Sequence, residues 1–224
     1  MTSLYASYVE GLSRGDTAPV TATITNPGLM LAPYKSKQKE IGAKFDFGRI
    51  MATVALFELS KPSASVSGTT FGINGEQRNR GVETSVAGDV SKSVRLLGGA
   101  TYIDGELSKS PTAGLVGKQA IGVSKWQANL GAEWDASFLP GFTMTGRVVY
   151  TDKTYANATN TLQIPSWTRF DAGARYAVKL ASKPVTFRLN VENLFNKDYY
   201  GVATAGYLHL GTPRTVSFSA SVDL

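Results

Sequence analysis

The side chains of this 224-residue chain that could do chemistry are few in kind. Cysteine is absent and the single histidine is His209. Disulfides, thiolate nucleophiles, Cys-ligated zinc and multi-histidine metal sites are therefore excluded, and a histidine-based triad would hang wholly on His209. What remains is an aromatic set, Tyr155, Trp167, Tyr199, Tyr200 and Tyr207, lying with His209 in or beside loop-like stretches. Tyrosine and tryptophan offer large contact area with a polar handle, which is the chemistry of binding rather than of bond breaking. A charged set, Arg147, Arg175, Arg188, Glu133 and Glu192, is spaced regularly among apolar residues. No phosphate-cradling glycine loop stands out: Gly98-Gly99 sits inside a strand-like run, where glycine relieves crowding or bends the chain. On these grounds no enzymatic activity is expected.

The elements that must position these groups are strands. From Arg214 to Leu224, Val216, Phe218, Ala220, Val222 and Leu224 alternate with Thr215, Ser217, Ser219, Ser221 and Asp223. Strand side chains point to opposite faces with a period of two, so one face here is wholly apolar and the other wholly polar. The same pattern recurs. Val185, Phe187, Leu189 and Val191 alternate with Thr186, Arg188, Asn190 and Glu192, and Trp126, Ala128, Leu130, Ala132 and Trp134 alternate with Gln127, Asn129, Glu133 and Asp135. Phe170 to Leu180 and Phe142 to Tyr150 read likewise, with Asp171, Arg175, Lys179 and Arg147 on their polar faces. Charge on one face and only apolar or small residues on the other suits a transmembrane β-barrel. No helical period competes, and no run of about 18 apolar residues could span a membrane as a helix.

The spacing of the strands predicts an up-and-down arrangement. Strands are expected at 4–10, 39–47, 50–59, 77–89, 94–107, 125–135, 142–152, 168–180, 185–195 and 214–224. Long connections follow Glu10, Leu59, Leu107, Asp152 and Phe195, and short ones follow Phe47, Asp89, Asp135 and Leu180. Outer-membrane barrels have short periplasmic turns and longer extracellular loops, whereas a soluble sandwich has no reason to put every long loop at one end. Aromatics fall where two membrane interfaces would lie: Phe45, Phe47, Trp134 and Phe142 flank short turns, and Tyr102, Trp126, Tyr150 and Trp167 flank long loops.

The formal charge of +6 comes from lysines and arginines spread along the chain, so a nucleic-acid groove is not expected. The first residues, Met1-Thr2-Ser3-Leu4-Tyr5, lack the basic and apolar regions of a signal peptide. A barrel must be exported, so either a signal was removed or the chain is a fragment.

Several blocks are similar to a known family. Asn193-Leu194-Phe195-Asn196-Lys197-Asp198-Tyr199-Tyr200, followed by Gly211-Thr212-Pro213-Arg214-Thr215-Val216, resembles the C-terminal signature of TonB-dependent outer-membrane receptors. Leu4-Tyr5-Ala6-Ser7-Tyr8, the run Lys35 to Gly42, the run Gly75 to Glu83 and the run Ile164 to Asp171 resemble the siderophore-receptor branch, in the right order. The resemblance implies an all-β fold: a transmembrane antiparallel β-barrel, of which these about ten strands are the C-terminal part of a 22-stranded barrel. It treats residues 1–224 as one barrel domain, with the N-terminal plug and the TonB box absent, located in the bacterial outer membrane.

It further implies a ferric siderophore as transported ligand, no cofactor, energy coupling through TonB–ExbB–ExbD, and outer-membrane lipid and lipopolysaccharide as surroundings. A ferric chelate brings its own oxygen ligands, so the receptor needs aromatic faces and hydrogen-bond donors on its outer loops. That makes Tyr155, Trp167, Tyr199, Tyr200, Tyr207 and His209 the candidate ligand contacts; interface anchoring or loop packing accounts for the same residues. The inward Arg147, Arg175, Arg188, Glu133 and Glu192 would face plug or channel, or form an inter-strand charge ladder. Ten strands alone expose two edges unless 4–10 closes onto 214–224, so this chain by itself is not expected to transport. A passive pore, a small-barrel outer-membrane enzyme and a soluble β-sandwich are the competing classes.

Overall fold

The computed structural model describes residues 1–201 and 207–222; residues 223–224 of the expected strand 214–224 and residues 202–206 of the expected loop 196–213 lie outside them. The strands are β1 (Thr2–Ser13), β2 (Tyr34–Asp46), β3 (Ile50–Ser67), β4 (Thr70–Asp89), β5 (Val94–Lys109), β6 (Trp126–Asp135), β7 (Phe142–Thr151), β8 (Thr154–Tyr155), β9 (Gln163–Ile164), β10 (Trp167–Leu180), β11 (Lys183–Glu192), β12 (Tyr200–Gly201), β13 (His209–Leu210) and β14 (Thr215–Val222). No helix occurs among the described residues. Ten strands form one sheet in the order β1-β2-β3-β4-β5-β6-β7-β10-β11-β14, every pairing antiparallel. The short pairs β8–β9 and β12–β13 are ribbons inside two loops.

The register turns the sequence alternation into two continuous faces. Ala6, Ile41, Leu56, Val82, Tyr102 and Trp126 lie directly opposite one another from strand to strand, and so do Leu130, Val148, Phe170 and, further on, Leu189 and Phe218. Directly opposed residues in an antiparallel ladder share a face. This face is covered by no second layer: Ile41 is 60% exposed, Leu130 45% and Phe218 67%. Apolar surface on that scale cannot be left to water. The run from Trp126 to Trp134 covers about 27 Å of strand, or about 20 Å along the normal at a tilt near 40°, close to the height of a barrel's apolar band. The sheet is therefore one wall between lipid and an aqueous lumen, and the soluble-sandwich reading falls.

Two expectations need correction. Residues 60–76 are not a loop. β3 and β4 run on for 18 and 20 residues and meet in a tight turn at Gly68-Thr69, where Gly68 takes φ 61°. Above the lipid neither face has to meet acyl chains, so strict hydrophobic alternation stops although the hydrogen-bond ladder continues. The same reason carries β1 to Ser13 and starts β2 at Tyr34, which shortens the expected loop 11–38 to residues 14–33. That loop packs on the tall hairpin: Ala18, Ile24 and Phe71 form a small buried cluster. Asn26 donates to the Phe71 carbonyl at 2.8 Å and accepts its N–H at 2.9 Å. Of the two arrangements left open for the edges, closure of 4–10 onto 214–224 does not form: β1 and β14 do not pair with each other and are the two edges of the sheet. Their unpaired N–H and C=O groups need partners from outside these ten strands.

The aromatic girdles form with one exception. Tyr102 and Trp126 pack at 5.0 Å on the loop end, and Phe45–Phe47 and Trp134–Phe138 pack at 6.3 and 6.0 Å on the turn end. Trp167 departs from the lipid row, because it lies opposite Thr151 while its neighbour Thr168 opposes the outward Tyr150.

Placing a charge on the two faces of β6 tests this assignment. Leu130→Arg on the lipid face is expected to cost about 2–4 kcal/mol of unfolding free energy. Asn129→Arg, one residue away and inward, is expected to stay within about 0.5 kcal/mol. Urea unfolding in bilayers reads both, and equal costs would contradict the assignment.

Candidate ligand-binding site at the loop end

The site is built from the inner face of β10 and the loop that follows β11. Trp167, Arg169 and Asp171 alternate inward along β10, opposite Thr151, Val149 and Arg147 of β7. Asp171 accepts Nη2 of Arg169 at 3.0 Å on one oxygen and the Asn193 backbone N–H at 2.9 Å on the other. Asn193 is the most enclosed side chain of the region and takes φ 52°, a conformation that asparagine tolerates better than most residues. Its Nδ2 donates to the carbonyls of Lys197 and Thr212 at 2.9 Å each, and its Oδ1 accepts the Lys197 N–H at 2.8 Å. Asn196 accepts the Arg214 N–H at 2.9 Å. The two ends of loop 193–214 are thus tied together by side-chain amides, each of which would be costly to leave unsatisfied.

That tie delivers Tyr199 onto Trp167. The rings lie 4.2 Å apart at 29°, and the Tyr199 hydroxyl sits 3.5 Å from Nη1 of Arg169. Gly211 donates its N–H to the Tyr199 carbonyl at 2.7 Å, and any Cβ on Gly211 would fall 2.3 Å from the Tyr199 ring. Glycine is required here for space. Beside the stacked pair opens a cavity of about 630 Å³ lined by Trp167, Tyr199, Tyr200, Lys197, Asp198 and Pro213 among others. Its chemistry is a broad aromatic wall with one cation and one anion at the rim. Buried beneath, Arg169 leaves Nε without a partner.

Three of the six expected contacts, Trp167, Tyr199 and Tyr200, therefore meet on one cavity. Tyr155 belongs to a different group of loops. It sits in the β8–β9 ribbon and its carbonyl accepts the Gly122 N–H at 3.0 Å, while Gln119 and Asn160 exchange two further bonds between the same loops. Tyr207 is 74% exposed and His209 lies in the β12–β13 ribbon opposite Gly201; neither lines the cavity. Arg169, Asp171, Asn193 and Gly211 were not legible as site residues. Arg169 and Asp171 carried a usable signal, two polar residues in step with Trp167 on one strand face; Asn193 and Gly211 act through contacts distant in sequence.

Below the cavity the inner wall is polar, as expected for Arg147, Arg175, Arg188, Glu133 and Glu192. A charge ladder accounts for only part of it. Arg95 pairs with Glu133 and Asp135 at 2.9 Å each, and Arg175 lies 3.6 Å from Glu133. These side chains are about two-fifths exposed, so each pair adds little stability. A second cavity of about 620 Å³ runs along this wall past Arg95, Glu133, Arg147, Asp171 and Glu192.

Comparison with known proteins agrees with this architecture. Residues 1–194 match the family described as TonB dependent receptor-like, beta-barrel. The chain is 40% identical over 228 aligned residues to the ferrichrome receptor FcuA of Yersinia enterocolitica, covering 99% of this chain and 30% of that protein. It is 32% identical to the probable TonB-dependent siderophore receptor PiuA of Acinetobacter baumannii, covering 92% of this chain and 29% of that protein. Among solved structures, BauA, the ferric preacinetobactin receptor of Acinetobacter baumannii, superposes with a TM-score of 0.89 at 45% identity, covering 100% of this chain and 34% of that one. The chain thus spans about a third of the length of the relatives it matches.

Two substitutions separate the tie from the stack. Gly211→Ala is expected to push Tyr199 off Trp167 and change the near-ultraviolet dichroism of the pair while leaving global stability nearly intact. Asn193→Ala is expected to destabilise by about 2–3 kcal/mol in thermal unfolding, because it strips partners from buried backbone groups. An unchanged near-ultraviolet spectrum in the first variant would contradict the packing described.

Proposed function

Because the chain belongs to the TonB-dependent receptor β-barrel family, whose members are outer-membrane barrels, we propose that it forms the C-terminal barrel portion of a receptor that takes up ferric siderophores. The observation that carries this reading is the cavity at the loop end, where Trp167, Tyr199 and Tyr200 present aromatic faces at the top of a polar lumenal wall. A ferric chelate is bulky and its iron is already saturated by the chelator's oxygens. It is held by ring faces and by hydrogen bonds to its periphery, which the Trp167–Tyr199 stack, the Tyr200 hydroxyl and the Lys197 ammonium can supply.

In this reading Arg169 and Asp171 act as positioning residues. They fix the Tyr199 hydroxyl and the foot of loop 193–214, and do not line the loop-end cavity themselves. The inner wall then carries the released chelate past Arg147 and Asn190 toward the turn end. Movement against a gradient requires energy that a passive wall lacks, so coupling to TonB–ExbB–ExbD belongs to the same proposal. Names of relatives point to chelates of two kinds, ferrichrome and ferric preacinetobactin, and the class bound by this chain is open to measurement.

Tryptophan fluorescence of the complete receptor is expected to fall on titration with a ferric hydroxamate or a ferric catecholate chelate. Tyr199→Ala is expected to weaken that binding about tenfold, since one stacked aromatic contributes on the order of 1.5 kcal/mol beyond its area. Uptake of radioactive iron by cells is expected to stop when a protonophore collapses the inner-membrane gradient. Quenching by neither chelate class, or uptake indifferent to the protonophore, would refute the proposal and favour a passive pore.

A further inference from the structure

Most polar groups around the loop-end cavity are already spent inside the protein. The Tyr199 hydroxyl faces Arg169, its carbonyl accepts the Gly211 N–H, and Asn193 holds both the N–H and the carbonyl of Lys197. Pro165 and Pro213, which also line the cavity, have no N–H to donate. What remains is the Tyr200 hydroxyl and, at the exposed rim, the side chains of Lys197 and Asp198. Those two charges are adjacent in the chain and opposite in sign, so the rim favours neither an anion nor a cation strongly.

Ring surface, in contrast, is in surplus. Tyr199 is enclosed on two sides: it stacks on Trp167 at 4.2 Å and packs against Gly211, where a Cβ would fall 2.3 Å from the ring. Trp167 gives one face to that stack, and Tyr200 is 47% exposed. Both line the same cavity of about 630 Å³. A guest rich in amides finds few partners here and loses the hydrogen bonds it made to water, which is costly. A flat ring needs no partner and gains the offset or edge-to-face contacts that aromatic pairs prefer.

We infer that this cavity seats an aryl ring carried by the chelate, with Trp167 and Tyr200 as the surfaces that select it. The substrate class is then an aryl-bearing ferric chelate, a catecholate or phenolate whose rings radiate from the metal, rather than an aliphatic hydroxamate that presents methylenes and amides. A ring-on-ring contact gains up to about tenfold over an aliphatic contact of equal area. The inference rests on the reading of this cavity as the chelate site and specifies what that site discriminates: a ring, not a charge.

Three synthetic chelates on one tripodal backbone separate ring from charge. The ferric tris-catecholate is anionic and carries rings, the ferric tris(N-phenyl hydroxamate) is neutral and carries rings, and the ferric tris(N-methyl hydroxamate) is neutral without them. Each is loaded with radioactive iron and titrated onto the protein purified in detergent from outer membranes. Both ring-bearing chelates are expected to bind about tenfold tighter than the N-methyl chelate. Tyr200→Leu is expected to narrow that gap and Tyr200→Phe, which restores the ring without its hydroxyl, to keep it. The wild-type ranking is decisive by itself if Tyr200→Leu loses heat-modifiable migration. Equal affinity for the N-phenyl and N-methyl chelates overturns the inference and leaves the receptor reading standing. A preference for the tris-catecholate alone also overturns it, since selection would then be by charge, and so does a folded Tyr200→Leu variant that keeps the gap. If none of the three binds, the cavity is not a chelate site, and the receptor reading falls together with the inference.

Discussion

Everything in this molecule follows from the inability of lipid to hydrogen-bond the backbone. Within the apolar band each N–H and C=O must find its partner on the next strand, so the sheet can only be a continuous ladder. Once the ladder is fixed, a shift of one residue would turn every Leu, Phe and Trp of a strand into the lumen and every Arg and Glu into oil. The unbroken rows from Ala6 to Trp126 and from Leu130 to Phe170 record that constraint. Inside the protein there is correspondingly little conventional core. The enclosed apolar residues are few and gather away from the lipid, as with Ala18, Ile24 and Phe71.

The outer end obeys a different rule. Water is available there, so loops need not pair completely, and order comes from side chains that imitate backbone partners. Asn193 ties 193–214, Asn26 clasps Phe71, and Asn160 with Gln119 joins two further loops. In each case an amide offers both a donor and an acceptor to main-chain groups, which lets a loop be fixed without a strand. The aromatic cavity is a product of this device. Trp167 is set by the barrel, Tyr199 by the amide tie, and Gly211 leaves the room the ring needs.

How far the sequence revealed all this depended on the solvent around each stretch. Between Trp126 and Trp134 the alternation is strict because one neighbour is oil and the other water, and strand, face and function class could all be read from it. Between Ser60 and Glu76 both neighbours are water, the alternation vanishes, and the tall hairpin passed for a loop. Trp167 was legible as an aromatic at a boundary, but its face was not: only the pairing of Thr168 with Tyr150 shows that it turns inward. The partners of Asn193 lie at Asp171, Lys197 and Thr212, and no local pattern in the chain predicts that such separated residues converge.

The grip of Asn26 on Phe71 has a further consequence. Segment 14–33 and the tip of β3–β4 share the bonds that hold them, since the Thr25 N–H also donates to the Thr69 carbonyl at 2.8 Å. Neither piece can detach without breaking contacts that belong to the other. They therefore have one opening free energy between them, and amide exchange at Phe71 and at Thr25 should be governed by a single cooperative event. A segment that looks like a free surface strap is, thermodynamically, the second half of a hairpin rising above the membrane.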